Sequence, residues 1–193
     1  MRHRLSTLGA GLLVIALTAL LTWPQAQHLS SKLAPHFDAR FSIWRLGWIA
    51  HSLITAPTHI FDANIFYPAR TTLAYSDAVM LEGVLAAPLF WLGVSPVLIY
   101  NLALFAGIVG SGMAMYLLAR EVTGSSGAAL VAAAAFTMLP YRTEHFMHLE
   151  LQWSMFVPLN AQASVMDILL GVVIDSGNDA SKALAEHIGG SES

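Results

Sequence analysis

Apolar residues run from Leu5 to Trp23 without a charge, directly after Arg2 and Arg4. A run of that length can cross a bilayer as a helix, at about 1.5 Å of rise per residue. The Pro24-Gln25-Ala26-Gln27-His28 that follows is a poor small-x-small cleavage site. The pattern therefore predicts an uncleaved span over 5–23, its arginines keeping the N-terminus cytoplasmic. Charges and prolines return from Pro24 to Glu82, which reads as a long extracytoplasmic loop. Within it, Phe41, Trp44 and Trp48 share one helical face over 41–54. Tryptophans suit the headgroup zone, so this helix is predicted to lie on the membrane.

Gly83 to Ala119 again carries no charge, but Pro88, Gly93 and Pro96 interrupt it. It divides into a short re-entrant or interfacial helix over 83–92 and a span over 97–119. Ala106, Gly110 and Ala114 recur at four-residue spacing in that span, beside Gly107 and Ser111. Small residues so spaced let helices approach closely. A polar turn over 120–127 leads to a third span over 127–141, ending beyond Pro140. The polar segment Arg142 to Glu150 returns to the side of the long loop. A fourth span is predicted over 151–174, interrupted by Pro158, Asn160 and Asp167. Residues 175–193 are acidic and small, and read as a disordered tail.

Composition agrees with burial in lipid. The 193 residues are 56% hydrophobic and 11% charged, against about 25% charged in soluble domains. The predicted fold class is thus an all-α integral membrane protein, with about four transmembrane helices of roughly 20 residues each. Its long extracytoplasmic first loop contains interfacial helices. The formal net charge of -3 gives no basic excess for nucleic acid. Cysteine is absent, which removes disulfides, thiolate metal sites and a cysteine nucleophile.

Titratable residues beside apolar helices are candidates for chemistry. Asp38, in His36-Phe-Asp-Ala-Arg-Phe-Ser-Ile-Trp44, stands just before the interfacial helix. It fits either a helix cap or a reacting carboxylate. His145, His148 and Glu150 form His-x-x-His-x-Glu, a weak metal-ligand spacing. No metal ligand is assigned from it and no cofactor is expected. Arg142 suits a phosphate or marks the water boundary. Asp62 and Asn64 read as turn residues, and Asp77 as a cap or a substrate contact. No Gly-rich phosphate loop, Gly-x-Ser-x-Gly or Cys-x-x-Cys occurs.

The chain resembles bacterial polytopic membrane proteins related to the C-type glycosyltransferases. The resemblance is carried by Asp38 with Trp44 and Trp48, Phe61-Asp-Ala-Asn-Ile-Phe-Tyr-Pro68 and Leu73-Ala-Tyr-Ser-Asp77. It continues through Pro96-Val-Leu-Ile-Tyr-Asn101, Gly112-Met-Ala-Met-Tyr-Leu-Leu118, Pro140-Tyr-Arg142 and His148-Leu-Glu-Leu-Gln-Trp153. It covers roughly 35–159, so residues 1–163 read as the N-terminal part of such a protein, cut short. The resemblance implies an inverting transfer of sugar from a polyprenyl-phosphate donor to an envelope acceptor, at the outer face of the bacterial inner membrane. It implies Asp38 as the catalytic carboxylate, with Arg142, His148, Glu150 and Asp77 binding substrate. The alternatives are a non-catalytic subunit or scaffold that binds lipid or envelope glycan, and a transporter fragment.

Overall fold

The computed structural model describes residues 2–153, with the backbone alone for residues 2–6. Their regular elements are helices, and no strand occurs among them. Among the described residues, one unit takes in those up to His51 and those from Val79, and a second takes in Ser52–Ala78.

The first unit is built on three helices: α1 (Arg2–Leu21), α4 (Pro96–Thr123) and α5 (Ser126–Thr137). The others are α2 (Phe37–Thr55), α3 (Met80–Trp91), α6 (Pro140–Glu144) and α7 (Leu149–Gln152). Pro96 opens α4 at a position where its missing N–H costs nothing. Gly124 closes it in the left-handed region at φ 65°, its N–H donating to the Arg120 carbonyl at 2.8 Å. Ser125 then caps α5 by accepting from Ala128 N–H at 3.3 Å. A two-residue turn therefore folds α5 straight back on α4.

Ala10 and Val14 of α1, Tyr116 of α4, and Ala129 and Ala133 of α5 form the buried seam of this trio. The packing is close because of Gly112. A Cβ there would lie 2.5 Å from Thr137 Oγ1 and 2.7 Å from Val14 Cγ1. The close-approach stripe on α4 runs through the buried Gly107, Ser111 and Gly112, whereas Ala106 is exposed and Gly110 half-buried. The four-residue repeat at 106, 110 and 114 thus lies one position off the true contact line. Helix α1 runs antiparallel to α4. Thr7 accepts from Arg120 NH1 at 3.2 Å near one end, and Gln25 Nε2 donates to Asn101 Oδ1 near the other. Asn101 Nδ2 also donates to the carbonyls of Leu29 at 2.6 Å and Lys32 at 2.8 Å. One side chain of α4 therefore holds the connection between α1 and α2.

Helix α4 is the one described helix long and apolar enough to cross a membrane, and Thr7–Leu21 and Met80–Trp91 are shorter apolar helices. The span expected over 127–141 is shorter in the structure. Leu139 precedes Pro140 and leaves the helical region, with ψ 131°, as proline favours in the residue before it. Helix α5 ends at Thr137 after 12 residues, about 18 Å of rise against a hydrocarbon core of about 30 Å. Of the span expected over 151–174, the described part is the end of α7 and Trp153. The remainder, like the tail over 175–193, lies outside the described residues.

In the second unit, Asp62 organises a compact loop. Its Oδ1 accepts from Thr71 N–H at 2.8 Å and its Oδ2 lies 3.0 Å from His59 Nδ1. The Thr71 N–H holds the Asp62 carboxyl below its ordinary 3.8, and His59 adds to the effect. Thr71 has φ 55° and Phe66 φ 57°, a strained region for residues with a Cβ. The carboxylate thus sits on one of the strained backbone N–H groups. Phe66 stacks on Tyr75 with ring centres 5.9 Å apart.

Candidate functional site

Asp38 lies in the first turn of α2, where the free N–H groups of a helix start favour a carboxylate. His36 precedes it and brings Nδ1 to 2.9 Å from Asp38 Oδ2. Two turns further along α2 is Arg45, whose side chain is 2% exposed. Its NH2 donates to Ser42 Oγ at 2.8 Å and to Glu150 Oε2 at 3.0 Å. Its guanidinium also lies over the Phe41 ring, 4.7 Å from the centre. The aromatic face foreseen on this helix is real as a stack, with Phe41 and Trp44 nearly parallel at 5.4 Å. The adjoining face buries Ser42, Arg45, Leu46 and Ile49.

The other half of the site comes from the start of α7. His148 is its N-cap and Glu150 lies in its first turn. His148 Nε2 is 3.5 Å from Asp38 Oδ2, and His148 Nδ1 is 3.6 Å from Glu150 Oε1. The start of α7 is held from below, because Tyr100 Oη donates to the Met147 carbonyl at 2.6 Å. At its end Ser111 Oγ donates to the Gln152 carbonyl at 2.7 Å, and Trp153 Nε1 to the Ala103 carbonyl at 3.1 Å. Gly107 permits that contact: a Cβ there would lie 2.5 Å from the Trp153 ring.

The structure thus brings together Asp38, His148 and Glu150, and adds His36 and Arg45, which sequence reasoning did not select. The spacing His36-x-Asp38 was a visible signal for the first. Nothing local marks Arg45 as the partner of a residue 105 positions away. Arg142 does another job. It is 4% exposed, donates to the Gln152 carbonyl at 3.2 Å, and lies 4.8 Å from the Phe136 ring centre. Burial lowers its pKa below the usual arginine range. Arg142 is therefore tied to the backbone that positions α7. Asp77 belongs to the second unit and is half-buried there. His145 tilts against His148 with ring centres 5.3 Å apart, and its carbonyl accepts from Gln152 Nε2 at 3.1 Å.

The arrangement offers one open face of imidazole and carboxylate groups, clamped from behind by a buried guanidinium. The side chains of His36, Asp38 and His148 are 47%, 30% and 23% exposed. They are the described residues able to hold a metal ion together. A separate apolar cavity of about 240 Å³ lies between α3 and α4, and Trp153 also lines it. It carries the carboxylate of Glu82, whose pKa burial raises above its ordinary 4.5, with Glu150 adding to the rise and Arg45 opposing it.

Comparison with known proteins points to a different chemistry from the one the motifs suggested. A family model described as D-alanyl-D-alanine carboxypeptidase (peptidase S11) matches residues 129–193. The D-alanyl-D-alanine carboxypeptidase DacA of Haemophilus influenzae is 61% identical over 36 residues. The shared stretch is 19% of this chain and 9% of that relative, so the chain spans a small fraction of the relative's length. No solved structure matches. These findings overturn the resemblance to C-type glycosyltransferases. The inverting sugar transfer from a polyprenyl-phosphate donor goes with it, and the scaffold and transporter readings fit no better. The misleading motifs were made of tryptophan, tyrosine, proline and small residues. Those are the types any helix near a membrane uses for anchoring and packing, so they carry little information about a reaction.

Proposed function

We propose that the chain is a cell-envelope protein that recognises the D-alanyl-D-alanine ends of cell-wall peptides through its C-terminal third. The match of residues 129–193 to the carboxypeptidase family carries this reading. Serine acyl-transfer enzymes of the penicillin-binding kind use Ser-x-x-Lys, Ser-Asp-Asn and Lys-Thr-Gly elements. Ser176-Gly177-Asn178, inside the matched stretch, differs from the second of these at its middle residue. The lysines Lys32 and Lys182 are preceded three residues earlier by Leu29 and Asp179, and followed by Leu33 and Ala183. Neither of the other two elements therefore occurs in these 193 residues. Recognition is accordingly the part proposed for this chain, and release of D-alanine is not expected from it alone.

The same proposal places the chain in the bacterial inner membrane, with α1 and α4 as an antiparallel pair and the N-terminus cytoplasmic. Arg2, Arg4 and Arg120 gather at one end of that pair, as the retention of basic residues on the cytoplasmic side requires. Helix α5 rises from that end and stops part-way. The cluster around Asp38 belongs to the opposite, outward end, where cell-wall peptides are found.

The test uses the full chain in detergent and a peptide ending in D-alanyl-D-alanine. Saturable binding, weakened by Asn178→Ala and absent for the L-alanyl-L-alanine peptide, is the expected result. Failure to bind either peptide would end this reading. Release of free D-alanine would show that the nucleophile comes from residues outside the three elements named.

A further inference from the structure

We infer that His36, Asp38 and His148 form a binding site for a divalent transition metal, best suited to zinc. The inference stands on the described residues and is independent of the peptide-recognition reading. One ligand atom from each residue lies within 4.8 Å of the others. Two of the separations, His36 Nδ1 to Asp38 Oδ2 at 2.9 Å and His148 Nε2 to Asp38 Oδ2 at 3.5 Å, bracket the edge of a zinc tetrahedron. With ligands about 2.0–2.1 Å from the metal, that edge is about 3.3 Å. The third separation, between the two histidines, is within 4.8 Å, and His36 stands in the exposed loop before α2.

Chemistry and surroundings favour the same occupant. Two imidazoles and one carboxylate suit zinc and its neighbours, whereas calcium and magnesium take oxygen ligands. Nδ1 of His36 faces a donor, Asp38 N–H at 3.3 Å, and an acceptor, the Asp38 carboxylate at 2.9 Å. A proton on Nδ1 serves the carboxylate, and a lone pair there serves the N–H. Nδ1 has one lone pair, so a bound cation takes it from the Asp38 N–H and replaces the proton as the partner of the carboxylate. His148 offers Nε2 to the site and turns Nδ1 toward Glu150, the relation in which metal-bound histidines hold their other N–H to a carboxylate. At 3.6 Å that contact is longer than a hydrogen bond. Glu150 is in turn fixed by the buried Arg45. With three protein ligands on a solvent-facing surface, the fourth position stays open to water or a ligand.

The experiment is equilibrium dialysis of the full chain in detergent against Zn²⁺ alone, followed by metal analysis. One zinc per chain is expected. His36→Ala, Asp38→Ala and His148→Ala should each weaken binding at least about tenfold, and Glu150→Gln by about 10- to 100-fold, the usual effect of losing an outer partner. His28→Ala, outside the cluster, should change nothing. A melting curve for each variant separates loss of the ligand from loss of the fold. His36 guards against the latter, because its exposed ring leaves the packed core intact. Co²⁺ gives a second readout: tetrahedral visible bands in the native chain, lost in His36→Ala. Absence of saturable zinc binding overturns the inference, as does binding that survives removal of His36 and Asp38 together.

Discussion

Two regions of the first unit solve opposite problems. The seam of α1, α4 and α5 is made of residues with little to say chemically: alanine, glycine, valine and the body of one tyrosine. It is stable because backbones come close and fill space, and a fault there is a fault of volume. The cluster between α2 and α7 is made of charges and imidazoles, with Arg45 nearly sealed from solvent. Its stability depends on each group having its counterpart, and a fault there is a fault of pairing. The difference teaches where each region tolerates change: the seam in polarity of distant positions, the cluster in size.

The sharpest way to break this comparison is to remove Glu150. Glu150→Ala leaves the Arg45 charge buried without its carboxylate, and should cost about 3–5 kcal/mol in denaturant unfolding. The double change Arg45→Met with Glu150→Leu should recover most of that loss. If the single and double variants unfold alike, the region depends on volume after all. Next in size is Gly112→Val, whose side chain has Thr137 and Val14 in its way. Overpacking of this kind costs about 1–3 kcal/mol. Gly127→Ala is the control, since its Cβ meets Ser125 Oγ at an ordinary 3.8 Å. Equal melting temperatures for the two glycine variants would refute the close-packed seam.

Two smaller predictions concern pH. Burial raises the Glu82 carboxyl above 4.5, so its contribution to stability is full below the unfolded value and is lost as pH rises through the raised one. Glu82→Gln should therefore raise the melting temperature at neutral pH and flatten its decline above pH 4.5. A variant that melts lower at neutral pH would show that the ionised form is the stabilising one. Asp62 has the opposite sign. Its carboxyl is held below 3.8, so its support of the Thr71 turn is present above that value and is lost as pH falls through the lowered one. Protection of the Thr71 amide, relative to its intrinsic exchange rate, should fall there, and Asp62→Asn should remove the step. An unchanged step would assign it to another group.

The seam was more legible in the sequence than the cluster. A charge-free run predicted a helix over 97–119, and α4 covers Pro96–Thr123. Small residues announced close packing, although the contact line fell at Gly107, Ser111 and Gly112. Helix α5 was overestimated because apolar character continues to Tyr141, while backbone sterics at Leu139-Pro140 stop the helix first. The cluster resisted because it is a long-range object. Asp38, His148 and Glu150 each stood out as titratable groups beside apolar helices. That Arg45 would cross 105 positions to meet Glu150 is fixed by tertiary packing. The stretch similar to the carboxypeptidase family is hard to read for another reason: its Ser176-Gly177-Asn178 is short and polar, as a disordered tail also is.

The three hydrogen bonds of Asn101 have a consequence for inheritance. The connection from α1 to α2 is held through the backbone carbonyls of Leu29 and Lys32, together with Gln25. A carbonyl is the same whichever residue bears it, so the instructions for that loop's shape are stored about 70 positions downstream, in one amide. The loop can drift in sequence while its path stays constant. The reverse does not hold. Aspartate has nearly the outline of asparagine, but it would set a second oxygen against two carbonyl oxygens. At position 101, the smallest change on paper would therefore be among the most disruptive.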